Sequence, residues 1–251
     1  MRARPVNVEG RIEAVRTLGA GVREIVIDIA PATVRFLPGQ YLQILHDAGS
    51  AISFSSASAP AELPRLRLHY LAQQDSDDAL RMDTILAGDG RLELSLPHGD
   101  CGFTAPLERP LLALAGGSGI AQVRSILHSL LPETDASILL YWGVARPEDL
   151  YLRAELDALA ARHGHFRWVA VTEAAPDEYS MRQGRVADAL ATDLDRGSLR
   201  LEGWDVLIAG GPPMVWGTVS ALVDRGLRRE QVCADAFSYA PRDGIWPATR
   251  D

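Results

Sequence analysis

The sequence predicts two domains: a closed antiparallel β-barrel over residues 1–105, then an α/β domain with a parallel sheet over 106–239. Three observations carry this reading. Short alternating segments, separated by turn residues, fill the first hundred positions. From "PLERP" (Pro106 to Pro110) onward the texture switches to apolar strands alternating with helical periods. Two of the later strands end in glycine clusters that run straight into helices.

In the first domain "NVEGRIEAVRTLG", "VREIVIDIA", "QYLQILH", "AISFSSAS", "RLRLHYLA" and "RLELSLP" each read as a strand, with "SDDALRMDTILA" as the one helix. Closure of six such strands leaves no unpaired edge exposed. In the second domain "RPLLALAGG" is continuously apolar and suits burial on both faces. The helix "GIAQVRSILHSLL" and the strand "ASILLYWGV" follow. The helix "PEDLYLRAELDALAARHG" is opened by Pro147 and acidic residues, and His163 and His165 mark its end. Then come the strand "FRWVAVTEA", the helix "GRVADALATDL", the strand "WDVLIAGG" and the helix "PPMVWGTVSALVDRG". "REQVCADAFSYA" reads as a last short strand, and residues 240–251 as a loose tail rich in Pro, Gly and charge. Trp142, Trp168 and Trp204 fall in or beside strands and are expected in the core.

The chain has 251 residues, 47% of them hydrophobic, which is ample for a core in each domain. Its formal net charge of -8 argues against nucleic acid or an anionic membrane as the main partner. Lys is absent, and every basic side chain is Arg. Cys101 and Cys233 lie far apart without CxxC spacing, so a four-thiolate iron–sulfur cluster cannot be built from this chain. So few thiols suggest a reducing compartment. No apolar run reaches the roughly 18 residues of a membrane span, and "MRARPVNVEG" has no apolar leader. A cytoplasmic protein is expected. The histidines show no metal-ligating spacing, so no metal site is expected.

Candidate chemistry sits at the two glycine clusters. In "LALAGGSGIAQVRSIL", residues Ala115, Gly116, Gly117, Ser118 and Gly119 join a buried strand to a helix. Glycine lets backbone approach a ligand, and the helix start offers amides to a phosphate. The GGxG spacing differs from the GxGxxG dinucleotide fingerprint, and a tight turn alone would also explain it. "DVLIAGGPPMVWG" repeats the device at Gly210, Gly211, Pro212, Pro213 and Met214. Two such strand ends in one parallel sheet favour a shared dinucleotide site.

With "FLPGQYLQI", "SFSSAS", "YWGVARPEDLYLRAEL" and "DAFSY", these loops make the chain resemble the ferredoxin–NADP reductase superfamily from about Arg11 to Phe237. The likeness is greatest to the small NAD(P)H:flavin oxidoreductases without an iron–sulfur domain. The resemblance implies a six-stranded antiparallel Greek-key barrel that binds flavin and an α/β domain that binds NADH or NADPH. It implies hydride transfer from nicotinamide C4 to N5 of riboflavin, FMN or FAD. Phe54 would lie along the flavin ring, and Ser55 would place its hydroxyl at N5. Ser56 and the stretch His69, Tyr70, Leu71 would line the ribityl side, and Phe237 would cover part of the ring. Residues 115–119 and 210–214 would hold the pyridine nucleotide.

Ile52 stands where the family carries an Arg for the flavin phosphate, and Ser53 where close relatives carry Pro. A charge-assisted contact of that kind contributes about 1.5–3 kcal/mol, so FMN and FAD should be held more weakly than in the family. Arg65, Arg67 or Arg81 could substitute, although a solvated role fits each better. The first reading is therefore a reductase of loosely held flavin. A second is a flavoprotein passing electrons to a separate iron–sulfur protein or monooxygenase. A third is a non-catalytic nucleotide-binding subunit. Coenzyme choice would rest on Arg146, Arg182 or Arg185 against Glu148 or Asp149, with a slight lean to NADH.

Overall fold

Apolar–polar alternation in the first hundred residues produces six strands that pair without any parallel step. These are β1 (Val6–Gly19), β2 (Val22–Ile29), β3 (Tyr41–His46), β4 (Ser50–Ser55), β5 (Arg65–Leu71) and β6 (Arg91–His98), with helix α1 (Asp77–Ala87) before β6. The computed structural model describes residues 4–29, 34–46, 50–72, 76–175 and 181–246. It divides into two units, residues 1–105 with 121–132, and residues 106–120 with 133–251.

In the first unit the strand order is β4-β3-β6-β1-β2-β5. The chain leaving β4 joins the two ends of that sheet. The Ala57 amide donates to the Arg67 carbonyl at 2.9 Å. Ser58 Oγ accepts from the Arg67 amide at 2.7 Å and donates to the Arg65 carbonyl at 3.1 Å. The edges are thereby satisfied, as the expected barrel requires. Ile25, Ile27, Leu42, Ile44, Ile52, Leu66, Leu68 and Leu94 fill the interior. Each such side chain contributes about 1.5–3 kcal/mol on leaving water.

Helix α2 (Ile120–Leu130) carries most of the later segment, residues 121–132, that groups with the barrel. Its sequence pattern places it in the α/β domain, but its polar side chains explain the grouping. Gln122 donates to the Gly39 carbonyl, Arg124 to that of Ala57 and Ser125 to that of Ser58, each at 2.6 Å.

The second unit holds a parallel sheet in the order β10-β9-β8-β7-β11-β12. Its strands are β7 (Leu111–Gly116), β8 (Ile138–Val144), β9 (Phe166–Thr172), β10 (Arg182–Gln183), β11 (Asp205–Ala209) and β12 (Val232–Cys233). Helices α3 (Arg153–Arg162), α4 (Val186–Asp195), α5 (Pro212–Val223) and α6 (Ala236–Tyr239) complete it. β7 pairs with β8 on one side and β11 on the other, so the strand order reverses at β7. Open parallel sheets bind ligands beyond the carboxyl ends of strands at such a reversal.

Some expectations fail locally. "REQVCADAFSYA" forms only the two-residue β12, and its aromatic end turns into α6. The helix expected from Pro147 begins as a separate turn over Pro147–Asp149, and regular α3 starts at Arg153. The tail is anchored where it is described: Trp216 donates to the Ala240 carbonyl at 2.8 Å, and Ile245 and Trp246 pack on the core. Residues 247–251 of that tail, like Glu178–Ser180 near the expected coenzyme contacts, lie outside the described residues. Neither Cys101 nor Cys233 is a free thiol, so the thiol count no longer argues for a reducing compartment. Among the described residues no helix is long and apolar enough to cross a membrane.

Candidate active site

In the second unit a crevice of about 570 Å³ opens at the carboxyl ends of β7, β8 and β9. Its walls include Gly116, Gly117, Gly143, Glu173, Arg185, Val186, Asp188, Pro213 and Met214. The glycines let these elements come together. A side chain on Gly119 would collide with the Ala209 carbonyl, and one on Gly143 with Val186. One on Gly116 or Gly210 would press on Met214 at 3.2 or 3.0 Å. Gly117 has a different reason: its φ is +52°, and no atom lies within 4 Å of where its Cβ would stand.

Helices α4 and α5 both begin at this crevice, and neither N-cap residue, Arg185 or Gly211, caps its helix with a side chain. The start of α4 therefore leaves first-turn amides for an anionic ligand, whereas α5 opens on Pro212 and Pro213, which carry no N–H, and offers fewer. Among the expected nucleotide residues, Gly116, Gly117, Pro213 and Met214 line the crevice. Ala115 is fully buried in β7, and Ser118 and Gly119 form the turn that follows. Gly210, Gly211 and Pro212 form the connection from β11 into α5.

The sequence reading missed Gly143 and Glu173. Gly143 stands opposite Gly116 in register at the end of β8, so a search for strand-end glycines would have found it. Glu173 follows β9 and stands at the crevice wall.

Two of the three arginines considered for coenzyme choice are committed elsewhere. Arg146 pairs with Glu148 and Asp149, each at 3.4 Å. Arg182 pairs with Asp193 at 2.8 Å, and the Tyr141 hydroxyl donates to the same carboxylate at 2.5 Å. Burial alone would raise the Asp193 pKa, but the Arg182 and Tyr141 hydrogen bonds outweigh it and hold the carboxyl below its ordinary value. Arg185 remains at the crevice wall, beside Glu173 and Asp188.

In the first unit β4 and β5 bring Phe54 edge-on to Tyr70, with ring centroids 6.1 Å apart. Arg23 lies over the Tyr70 ring at 4.9 Å. Among the described residues the buried Tyr70 hydroxyl has no hydrogen bond of regular geometry; burial raises its pKa and outweighs Arg23, which stands close enough to lower it. Ser55 faces Tyr41 across β3, and its hydroxyl makes no hydrogen bond among the described residues. Ser56 is buried and its hydroxyl is engaged with Ser58, accepting from the amide at 3.2 Å. His69 is buried and Leu71 is 43% exposed.

Ile52 is 4% exposed and packs in the barrel core. None of the arginines considered as its substitute is unpaired. Arg65 pairs with Glu13 at 2.8 Å, Arg67 with Glu24 at 3.1 Å and Glu62 at 3.3 Å, and Arg81 with Asp78 at 3.1 Å. Phe237 finds its partners in the second unit, against Trp216 at 4.9 Å and under Arg229 at 4.6 Å.

An antiparallel barrel and a parallel sheet with a glycine-walled crevice at its strand reversal define a two-unit reductase fold. Residues 113–220 match the family model described as the oxidoreductase NAD-binding domain. The chain is 30% identical over 241 residues to the NAD(P)H-flavin reductase of Vibrio harveyi, covering 93% of this chain and 100% of that protein. It is 32% identical over 209 residues to reductase component 1 of terephthalate 1,2-dioxygenase from a Comamonas species, covering 82% of this chain and 61% of that one. Among solved structures, the Amycolatopsis cytochrome P450 reductase superposes with a TM-score of 0.80 at 26% identity, covering 92% of this chain and 69% of that one. The chain belongs to the ferredoxin–NADP reductase superfamily, a family of oxidoreductases, among its NAD(P)H-flavin reductases.

Proposed function

We propose that this protein uses NADH to reduce a diffusible flavin that it holds only loosely. The observation that carries the loose holding is the barrel's charge: position 52 is an aliphatic core residue, and Arg65, Arg67 and Arg81 are all spent on carboxylates. Discrimination among riboflavin, FMN and FAD by phosphate contacts is therefore weak. When both ligands are bound, reduced nicotinamide supplies a hydride and the flavin ring accepts it.

The barrel residues fit a flat polar ring. Phe54 offers an aromatic edge, Tyr70 a buried hydroxyl, and Ser55 a hydroxyl not otherwise engaged among the described residues. In this reading Ser55 hydrogen-bonds the ring atom that gains negative charge, while Ser56 and residues 69–71 shape the wall beside it. The glycine crevice fits a pyridine dinucleotide, with backbone and helix starts meeting its phosphates. NADH is preferred because Glu173 and Asp188 oppose a 2′-phosphate against one cation, Arg185.

The test is the visible spectrum of the purified protein and NADH oxidation with each added flavin. We expect a colourless protein that turns over with all three, and Ser55→Ala should lower kcat about tenfold, the value of one hydrogen bond. A yellow protein with stoichiometric flavin would favour the second reading, a reductase for a separate acceptor, which the likeness to the dioxygenase component supports. A colourless protein inert with every flavin would leave only a nucleotide-binding module.

A further inference from the structure

The geometry points to Trp142 as the positioning residue of the dinucleotide loop, the group that fixes the Gly116–Gly117 wall in its binding conformation. Trp142 lies in β8 between Ala115 of β7 and Ala170 of β9, and it is fully buried. Its neighbour Tyr141 points to the opposite sheet face, towards α4, as strand alternation requires. The indole packs edge-on to Tyr151, with centroids 5.4 Å apart, and against Trp168 at 6.4 Å. A buried indole N–H needs an acceptor. This one donates to the Gly117 carbonyl at 3.0 Å.

That acceptor gives the contact its consequence. The Gly117 carbonyl also receives the Ile120 amide, so both of its lone pairs are used. Gly117 has no side chain, sits at φ +52° and has open space where a Cβ would point. Packing therefore does little to choose its conformation, and glycine visits other wells readily. Hydrogen bonds to its carbonyl must make the choice. With the C=O turned to the indole, the trans peptide turns the Ser118 N–H away from it. Trp142 thereby sets the direction of the loop's peptide plane at the crevice before any ligand arrives, which lowers the ordering cost of binding. A phenylalanine at 142 would occupy the same layer of the core and leave the loop without this constraint.

The inference rests on the crevice taking a pyridine dinucleotide. Its test is calorimetric binding of NADH, with steady-state kinetics, on the wild type, on Trp142→Phe, and on protein carrying a benzothienyl analogue of tryptophan at position 142. The analogue replaces the N–H by sulfur and keeps the ring volume, so it decides the matter even if Trp142→Phe fails to fold. Loss of one hydrogen bond should weaken NADH binding about three- to tenfold. KM for NADH should rise by the same factor, with kcat and KM for flavin unchanged, while Trp142→Phe should also melt lower because it leaves a cavity in a fully buried layer. Wild-type affinity in the analogue protein would overturn the inference. So would equal losses in kcat and in both KM values, since these would mark Trp142 as core alone. If the wild type binds NADH but reduces no flavin, the functional reading falls and the binding ratio still decides Trp142. If it binds no pyridine nucleotide, both fall.

Discussion

The crevice of the second unit and the flavin seat proposed for the first are built from different materials. The crevice is a backbone structure: a Cβ on Gly119 or Gly143 would collide with another element, and Gly116 and Gly210 sit tightly against Met214. The seat is a side-chain structure, in which Phe54, Ser55 and Tyr70 present chemistry and the surrounding arginines are neutralised. A backbone site tolerates almost no change at its glycines and recognises features common to all dinucleotides. A side-chain site can lose a charged partner and keep its ring contact, so it relaxes towards binding any flavin.

The strongest way to break this comparison is to put charge back into the seat. Ile52→Arg places a guanidinium where the barrel core has Ile44 across the strand pair. A buried unpaired charge costs several kcal/mol, about 3–5 here, a large part of an ordinary domain's stability of about 5–15 kcal/mol. We expect a lower melting temperature and, in the protein that still folds, tighter binding of FMN and FAD than of riboflavin. Equal affinity changes for all three would show that position 52 does not reach the flavin phosphate and that its lost arginine does not explain loose holding.

The barrel, the parallel sheet and both glycine loops are legible in the sequence because alternation, apolar runs and strand-end glycines are local signals. Ile52 is visible there as a departure, yet the face it occupies depends on the register of β4 against β3, which no local pattern states. Commitment of Arg67 to Glu24 likewise joins positions far apart in sequence. Gly143 and Glu173 escaped because one glycine or one acid at a strand end is a weak signal until the crevice brings its partners together.

A smaller effect separates two glycines of the same loop. Gly119→Ala must displace the Ala209 carbonyl, which is backbone and cannot yield cheaply. Overpacking of this kind costs about 1–3 kcal/mol, and NADH binding should weaken with it. Gly117→Ala meets open space and bears only the left-handed backbone penalty, about 1–2 kcal/mol. Thermal melting with NADH titration on both variants checks this. Gly119→Ala should lose stability even without ligand and shift the β7–β11 packing. A Gly119→Ala variant as stable as wild type would show that the crevice is not held by close backbone approach.

The smallest effect tests the charge of the crevice wall. Glu173 and Asp188 outnumber Arg185 there, and all three are exposed, so water and salt screen them strongly. Two unit charges 4 Å apart in water interact by about 1 kcal/mol. Glu173→Gln removes one of two opposing charges and should move the ratio of KM for NADPH to KM for NADH about three- to fivefold towards NADPH. Because screening governs the term, the shift should be largest at low salt and shrink as salt rises. Equal changes in both KM values would mean that Glu173 meets a group common to the two coenzymes, such as a ribose hydroxyl. A ratio indifferent to both the substitution and salt would place the 2′ position away from this wall and from all three of its charges, Arg185 included.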